Sequence, residues 1–93
     1  MSTNNLGLTH IVDRFPFIIG RQDDSNFIIN DSLVSKRHCA ICYENNKFYI
    51  EDLGSRNKTF VNGKELKKKT EMFYGDKVSV GSTIMRFYLE EKE

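Results

Sequence analysis

Residues 39–51 read CAICYENNKFYIE, and the fold turns on this stretch. Two short runs rich in Ile, Cys, Tyr and Phe flank Asn45-Asn46. Asparagine tolerates the left-handed backbone of a two-residue turn better than any other residue with a side chain, so the stretch reads as a β-hairpin. The same rhythm continues outward, over residues 8–12, 15–19 and 26–29 before it and 59–61, 77–80 and 83–89 after it. Asn62-Gly63 suits a type I′ hairpin turn, and Gly75-Asp76 breaks the chain ahead of Val78. In the last run Met85, Phe87 and Leu89 alternate with Ile84, Arg86 and Tyr88, a period of two with one face for the core. No long helical period occurs, and the expected class is all-β, a sandwich or barrel.

The chain has 93 residues, room for one domain and not comfortably for two. One proline, Pro16, and the absence of repeats or linkers leave nothing to divide it, so residues 1–93 are expected to form a single domain with its motif-bearing core at 15–90. Hydrophobic residues are 39% and charged residues 29%, with 7 Phe and 4 Tyr, enough to fill a core and too apolar for disorder. A net charge of +1 gives no global attraction to nucleic acid or an anionic membrane, so any basic site must be local. No apolar run approaches the roughly 18 residues of a membrane helix, and the polar opening MSTNN does not resemble a secretory signal. An intracellular protein is expected, cytoplasmic or, in a eukaryote, nuclear. On that expectation the glycosylation patterns at Asn30-Asp31-Ser32 and Asn57-Lys58-Thr59 are discounted, and Cys39 and Cys42 are taken as reduced.

Little points to catalysis. His10 and His38 have no nucleophile and orienting acid grouped with them in sequence, and GSRNKT at 54–59 lacks the glycine spacing and following helix of a phosphate-binding P-loop. Cys39 and Cys42, three apart on a strand, face opposite sides of a sheet and cannot clamp one ion; two buried structural thiols are expected, with no metal and no cofactor. Lys67-Lys68-Lys69 reads first as a solvated loop or edge-strand protection, and only second as a basic patch. Three polar loops remain: Gly20-Arg21, Ser35-Lys36-Arg37-His38 and Ser55-Arg56-Asn57-Lys58-Thr59. Gathered at one end of a sandwich, they would offer Arg21, Lys36, Arg37 and Arg56 beside the Ser35 hydroxyl and the Asn57 amide. Arginine supplies a planar fork for charge-assisted bonds, and serine and loop amides supply neutral donors, a set suited to a phosphate.

In order and approximate spacing these pieces resemble the forkhead-associated (FHA) domain. They are Gly20-Arg21, Ser35-x-x-His38, Asp52-x-x-Ser55-x-Asn57-x-Thr59-x-Val61-Asn62-Gly63 and Gly75-Asp76-x-Val78-x-Val80-Gly81. The resemblance implies a two-sheet antiparallel β-sandwich of about eleven strands with ligand loops at one end. It also implies a module that binds a threonine-phosphorylated protein or peptide, with signalling by recruitment rather than by reaction. Carried over by position, Arg21, Ser35 and Lys36 bind phosphate, and Asn57, Arg56 and Lys58 lie against the peptide. His38, Ser55, Thr59 and Asn62 support the loops. Lys58 stands where the family commonly has glycine, so a positive φ there would be strained by a β carbon. A phosphate-independent scaffold or oligomerisation domain of the same fold is the alternative, and a nucleic-acid binder is disfavoured by the neutral charge.

Overall fold

The computed structural model describes residues 2–5 and 8–88, and every regular element among them is a strand. In chain order these are β1 (Ser2–Asn5), β2 (Leu8–Ile11), β3 (Phe17–Gly20), β4 (Phe27–Ile28), β5 (Cys39–Glu44) and β6 (Lys47–Asp52). There follow β7 (Thr59–Val61), β8 (Lys64–Glu65), β9 (Thr70–Glu71), β10 (Lys77–Val80) and β11 (Thr83–Tyr88). One sheet has the order β2-β1-β11-β10-β7-β8 and the other β4-β3-β5-β6-β9. The two sheets hold six and five strands, eleven in all, as expected. The β1–β2 pair extends one sheet at its edge, with Ser2 opposite Tyr88. Among the described residues no helix is long and apolar enough to cross a membrane.

Period-two patterning builds the core. Ile19, Ile41 and Ile50 from one sheet meet Val78, Val80, Met85 and Phe87 from the other, all fully buried. Each such side chain contributes about 1.5–3 kcal/mol on leaving water. Ile84 and Arg86 alternate outward as expected; Leu89 and the tail 90–93 lie outside the described residues. Both asparagine turns form as read: Asn45 and Asn46 have φ of 52° and 64°, and Asn62 and Gly63 have 52° and 84°.

Several expectations need correction. The run expected at 15–19 enters the ladder only at Phe17, while the Phe15 ring packs on Tyr43 and Phe48 with centroids 5.7 and 5.8 Å away. The run at 26–29 shrinks to β4, which pairs parallel to β3 because loop 21–26 doubles back along that strand. The Asn26 carboxamide fastens the loop by accepting from the Ile18 amide at 2.8 Å. Only one of the two thiols is buried. Cys39 faces the core, and burial, reinforced by the Asp52 charge, pushes it up to about 12. Cys42, on the other face of β5, is half-buried and is also raised, chiefly by burial. In the lysine run, Lys69 pairs with Glu44 at 2.6 Å and lies 5.5 Å from the Tyr49 ring centroid, beside edge strand β9.

Strands β3 and β6 run towards one end of the sandwich, where loops 21–26, 29–38 and 53–58 meet the β10–β11 turn. Asp31 ties that turn down. Its carboxylate accepts from the Leu33 amide at 2.9 Å, the Ser82 amide at 2.8 Å and hydroxyl at 2.7 Å, and the Thr83 hydroxyl at 3.0 Å. The Ser82 hydroxyl leads these bonds in drawing the Asp31 pKa down to about 2. A carboxyl depressed in the folded state stabilises it above the unfolded pKa and loses that contribution as pH falls through the folded value. The clamp is therefore complete at pH 5 and opens near pH 2. The Ser82 and Leu33 amide resonances should titrate with a midpoint near pH 2; a midpoint near 4 would show that Asp31 is unclamped.

Candidate functional site

The site is built on close backbone approach at Gly20. A Cβ there would stand 2.1 Å from the Lys36 carbonyl oxygen and 2.8 Å from its carbon, so only glycine lets segment 35–37 lie against the end of β3. Four backbone bonds hold this junction: Arg21 N–H to Ser35 O at 3.0 Å, Gln22 N–H to Lys36 O at 3.1 Å, His38 N–H to Ile19 O at 2.9 Å and Ile29 N–H to Gly20 O at 2.9 Å. The Arg21 side chain is exposed, and its Nε donates to the Val34 carbonyl at 2.9 Å. That bond uses one of five N–H groups and orients the fork, leaving the terminal nitrogens for a ligand.

Ser35 has a directional role. Its Oγ accepts from the Arg56 amide at 3.0 Å, which leaves the hydroxyl hydrogen to be donated elsewhere. Asn57 is oriented in the same way: its Nδ2 donates to Leu33 O at 2.9 Å, leaving Oδ1 and a second N–H for a peptide main chain. Arg21, Ser35, Lys36, Arg56, Asn57 and Lys58 thus lie on three adjoining loops, and all but the half-buried Ser35 are exposed. Within 21–26, 29–38 and 53–58 there are five cations (Arg21, Lys36, Arg37, Arg56, Lys58) and three acids (Asp23, Asp24, Asp31), a local +2 on a chain of net +1. The basic character is local, as a site for an anion requires.

Beneath the loops, His38 is fully buried and joins two of them. Its Nδ1 accepts from the Ser35 amide at 3.0 Å, so Nε2 carries the hydrogen and donates to Lys58 O at 2.8 Å. Lys58 has φ of 69°, the left-handed conformation in which a side chain is strained by about 1 kcal/mol, and the bond from His38 helps to hold it. Asp52 braces the third loop. Burial alone would raise its pKa, but bonds from the Ser55 and Thr59 hydroxyls and the Ser55 and Gly54 amides outweigh that and keep the carboxyl below its ordinary value.

Asn62 does not join this end. Its side chain donates to Asp76 Oδ1 at 2.9 Å and accepts from the Lys77 amide at 3.0 Å, bracing the β7–β8 turn at the far end of the sandwich. The reason is strand polarity, since β7 carries the chain away from the loops between Thr59 and Val61. Gly20, Asp31 and Asp52 matter more to the site than the sequence reading allowed. Asp52 had a local signal, an acid followed by glycine and serine that can cap its own turn. Asp31 had none, because Ser82 and Thr83 lie 51 and 52 residues away.

The FHA domain family profile matches residues 17–81 of this chain. The glycogen accumulation regulator GarA of Mycobacterium tuberculosis (strain ATCC 25618 / H37Rv) is 34% identical over 89 residues, 96% of this chain and 54% of that protein. The FHA domain-containing protein FhaB of Mycolicibacterium smegmatis is 33% identical over 70 residues, 75% of this chain and 45% of that one. The chain spans about half the length of the curated relatives it matches. Among solved structures, one from a structural and functional study of phosphothreonine-dependent FHA domain interactions superposes with a TM-score of 0.88 at 26% identity, covering 99% of this chain and 100% of that one. The FhaA FHA domain, solved in complex with the intracellular domain of Rv3910, gives 0.83 at 28% identity, covering 92% and 98%. With the two-sheet sandwich and the loop end already described, these matches show that the chain belongs to the FHA domain family.

Proposed function

We propose that this chain is a phosphothreonine-dependent protein–protein interaction module that acts by binding and not by catalysis. Its partner is a threonine-phosphorylated protein or peptide, held with the phosphate on Arg21, Ser35 and Lys36 and the main chain against Asn57, with Arg56 and Lys58 beside it. The observation that carries this reading is the polarity of Ser35: its oxygen is filled by the Arg56 amide and its hydrogen is left to give, next to an arginine fork already oriented by Val34. A phosphate accepts everything this set donates. Membership of a family whose similar structures include one from a study of phosphothreonine-dependent interactions supports the same conclusion.

The test is a titration at fixed moderate salt with matched peptide pools carrying phosphothreonine, phosphoserine or an unmodified threonine. Phosphothreonine should bind best, phosphoserine weaker by about one buried methyl, roughly 1 kcal/mol, and the unmodified pool not at all. Equal binding of modified and unmodified pools, or none by any, would reject the reading. One observation favours a phosphate-independent surface as the second reading. Phe73 and Tyr74 are 60% and 70% exposed, Tyr74 lying edge-on to Tyr88, and Phe15 and Tyr43 form a separate exposed aromatic pair. Phosphorylation-independent binding of a partner would move weight there.

A further inference from the structure

Two of the side chains assigned to the ligand are held by neighbouring carbonyls of one turn. Arg21 Nε donates to Val34 O at 2.9 Å, and Asn57 Nδ2 donates to Leu33 O at 2.9 Å. Where these carbonyls point is decided by the turn 31–34. Asp31 closes that turn twice: its main-chain carbonyl accepts from the Val34 amide at 2.9 Å, and its Oδ1 accepts from the Leu33 amide at 2.9 Å. The other carboxylate oxygen, Oδ2, reaches out of the turn and takes the Ser82 amide, the Ser82 hydroxyl and the Thr83 hydroxyl at 2.8, 2.7 and 3.0 Å. Among side chains of this size only a carboxylate accepts on both ends.

The two turns also pack against each other. A Cβ on Gly81, which has φ of 58°, would stand 3.0 Å from Asp31 Oδ2, from Leu33 Cβ and from Val34 Cγ2. The β10–β11 turn therefore lies on the same three residues that direct the Arg21 and Asn57 side chains. Asp31 is half-buried and adds a negative charge to a loop end of net positive charge. Charge alone argues against an acid beside an anion site. Three of the four donors on this carboxylate come from residues 51 and 52 positions along the chain, which gives the acid a different purpose there.

We propose that Asp31 is a positioning residue for phosphopeptide binding: with one oxygen on its own turn and the other on Ser82 and Thr83, it fixes the Leu33 and Val34 carbonyls that aim the Asn57 amide and the Arg21 fork. It acts through those two carbonyls and makes the β10–β11 turn part of the binding apparatus, although no group assigned to the phosphate or the peptide lies in that turn. Its effect on affinity rests on the phosphothreonine reading, while its effect on the Arg21 side chain stands without any ligand.

Asp31→Asn tests this. The carboxamide keeps the size of the carboxylate but has one accepting oxygen, so either the Leu33 amide or the Ser82–Thr83 turn must face an NH2 group. The substitution also removes a negative charge, which by electrostatics alone would strengthen the binding of an anion. Positioning predicts the opposite sign: calorimetry with the phosphothreonine peptide pool at fixed moderate salt should give an affinity about tenfold weaker, as expected when two side chains must be ordered on binding. In the peptide-free protein the Arg21 Nε–H should exchange with solvent about fivefold faster than in wild type, read by NMR. A denaturant midpoint establishes that both are measured on folded protein. The double variant Ser82→Ala, Thr83→Val removes only the two hydroxyl donors; it should weaken binding about threefold, and it carries the test if Asp31→Asn does not fold. An affinity unchanged or raised in the folded variant, or an Arg21 Nε–H that exchanges as in wild type, overturns the assignment and leaves the primary site intact. If wild type binds no phosphopeptide, the primary reading falls, and the Arg21 resonance alone decides whether Asp31 positions the fork.

Discussion

Replacing Arg21 by alanine should remove roughly 2–4 kcal/mol of phosphopeptide binding and leave the fold almost unchanged. The two halves of this expectation have separate origins. Arg21 is an exposed side chain, and its own backbone amide, which bonds Ser35 O, survives the substitution, so the β3 junction keeps its ladder. What is lost is the fork: two terminal nitrogens carrying charge-assisted donors for a group of about −1.5 to −2 charge. Arg21→Lys separates charge from geometry. Lysine restores a cation but has no Nε to grip Val34 O and no planar pair of donors, and it should recover only part of the loss. Calorimetry with the phosphothreonine pool measures the binding, and a denaturant midpoint measures the fold. Unchanged affinity for a folded Arg21→Ala protein would remove Arg21 from the site.

Gly20→Ala should be the most damaging alanine substitution among the described glycines. The added carbon would meet the Lys36 carbonyl at 2.1 Å, and both partners are backbone held by hydrogen bonds, so no rotamer change relieves the clash. Segment 35–37 would have to part from the end of β3, which displaces Ser35 from Arg21. A stability loss of roughly 3 kcal/mol is expected, together with loss of phosphopeptide binding. Gly54→Ala is the matched control. That glycine has φ of 80° but nothing within 4 Å of its would-be Cβ, so it should lose only about 1 kcal/mol, from backbone strain. Denaturation curves of the two variants decide the matter; equal losses would mean that the approach at Gly20 is looser than 2.1 Å.

These two positions also mark how far the sequence could be read. Arg21 was legible because its chemistry is its own: a strand-end arginine, grouped with Ser35 and Asn57 by a familiar order of motifs. Gly20 was legible as part of a motif, but its reason was not, since the Lys36 carbonyl that excludes a side chain is brought there only by the pairing of β3 with β5. The asparagine turns at 45–46 and 62–63 were visible because turn chemistry is local. Strand β1 was invisible because STNN has neither apolar residues nor alternation, and β8 and β9 are two residues long, too short for any period to register. Asn62 went to the wrong end because a motif gives order along the chain and not the direction in which each strand travels. Asp31 was passed over as a glycosylation pattern, its partners being half the chain away.

The buried imidazole of His38 has a kinetic meaning. By tying Ser35 to Lys58 from below, it makes two loops from different strands one preassembled surface before any ligand arrives. Ordering that a flexible receptor would undergo on encounter is here completed during folding. Capture of phosphorylated peptides is then expected to be governed by diffusion and local charge, with discrimination between them in how long each one stays.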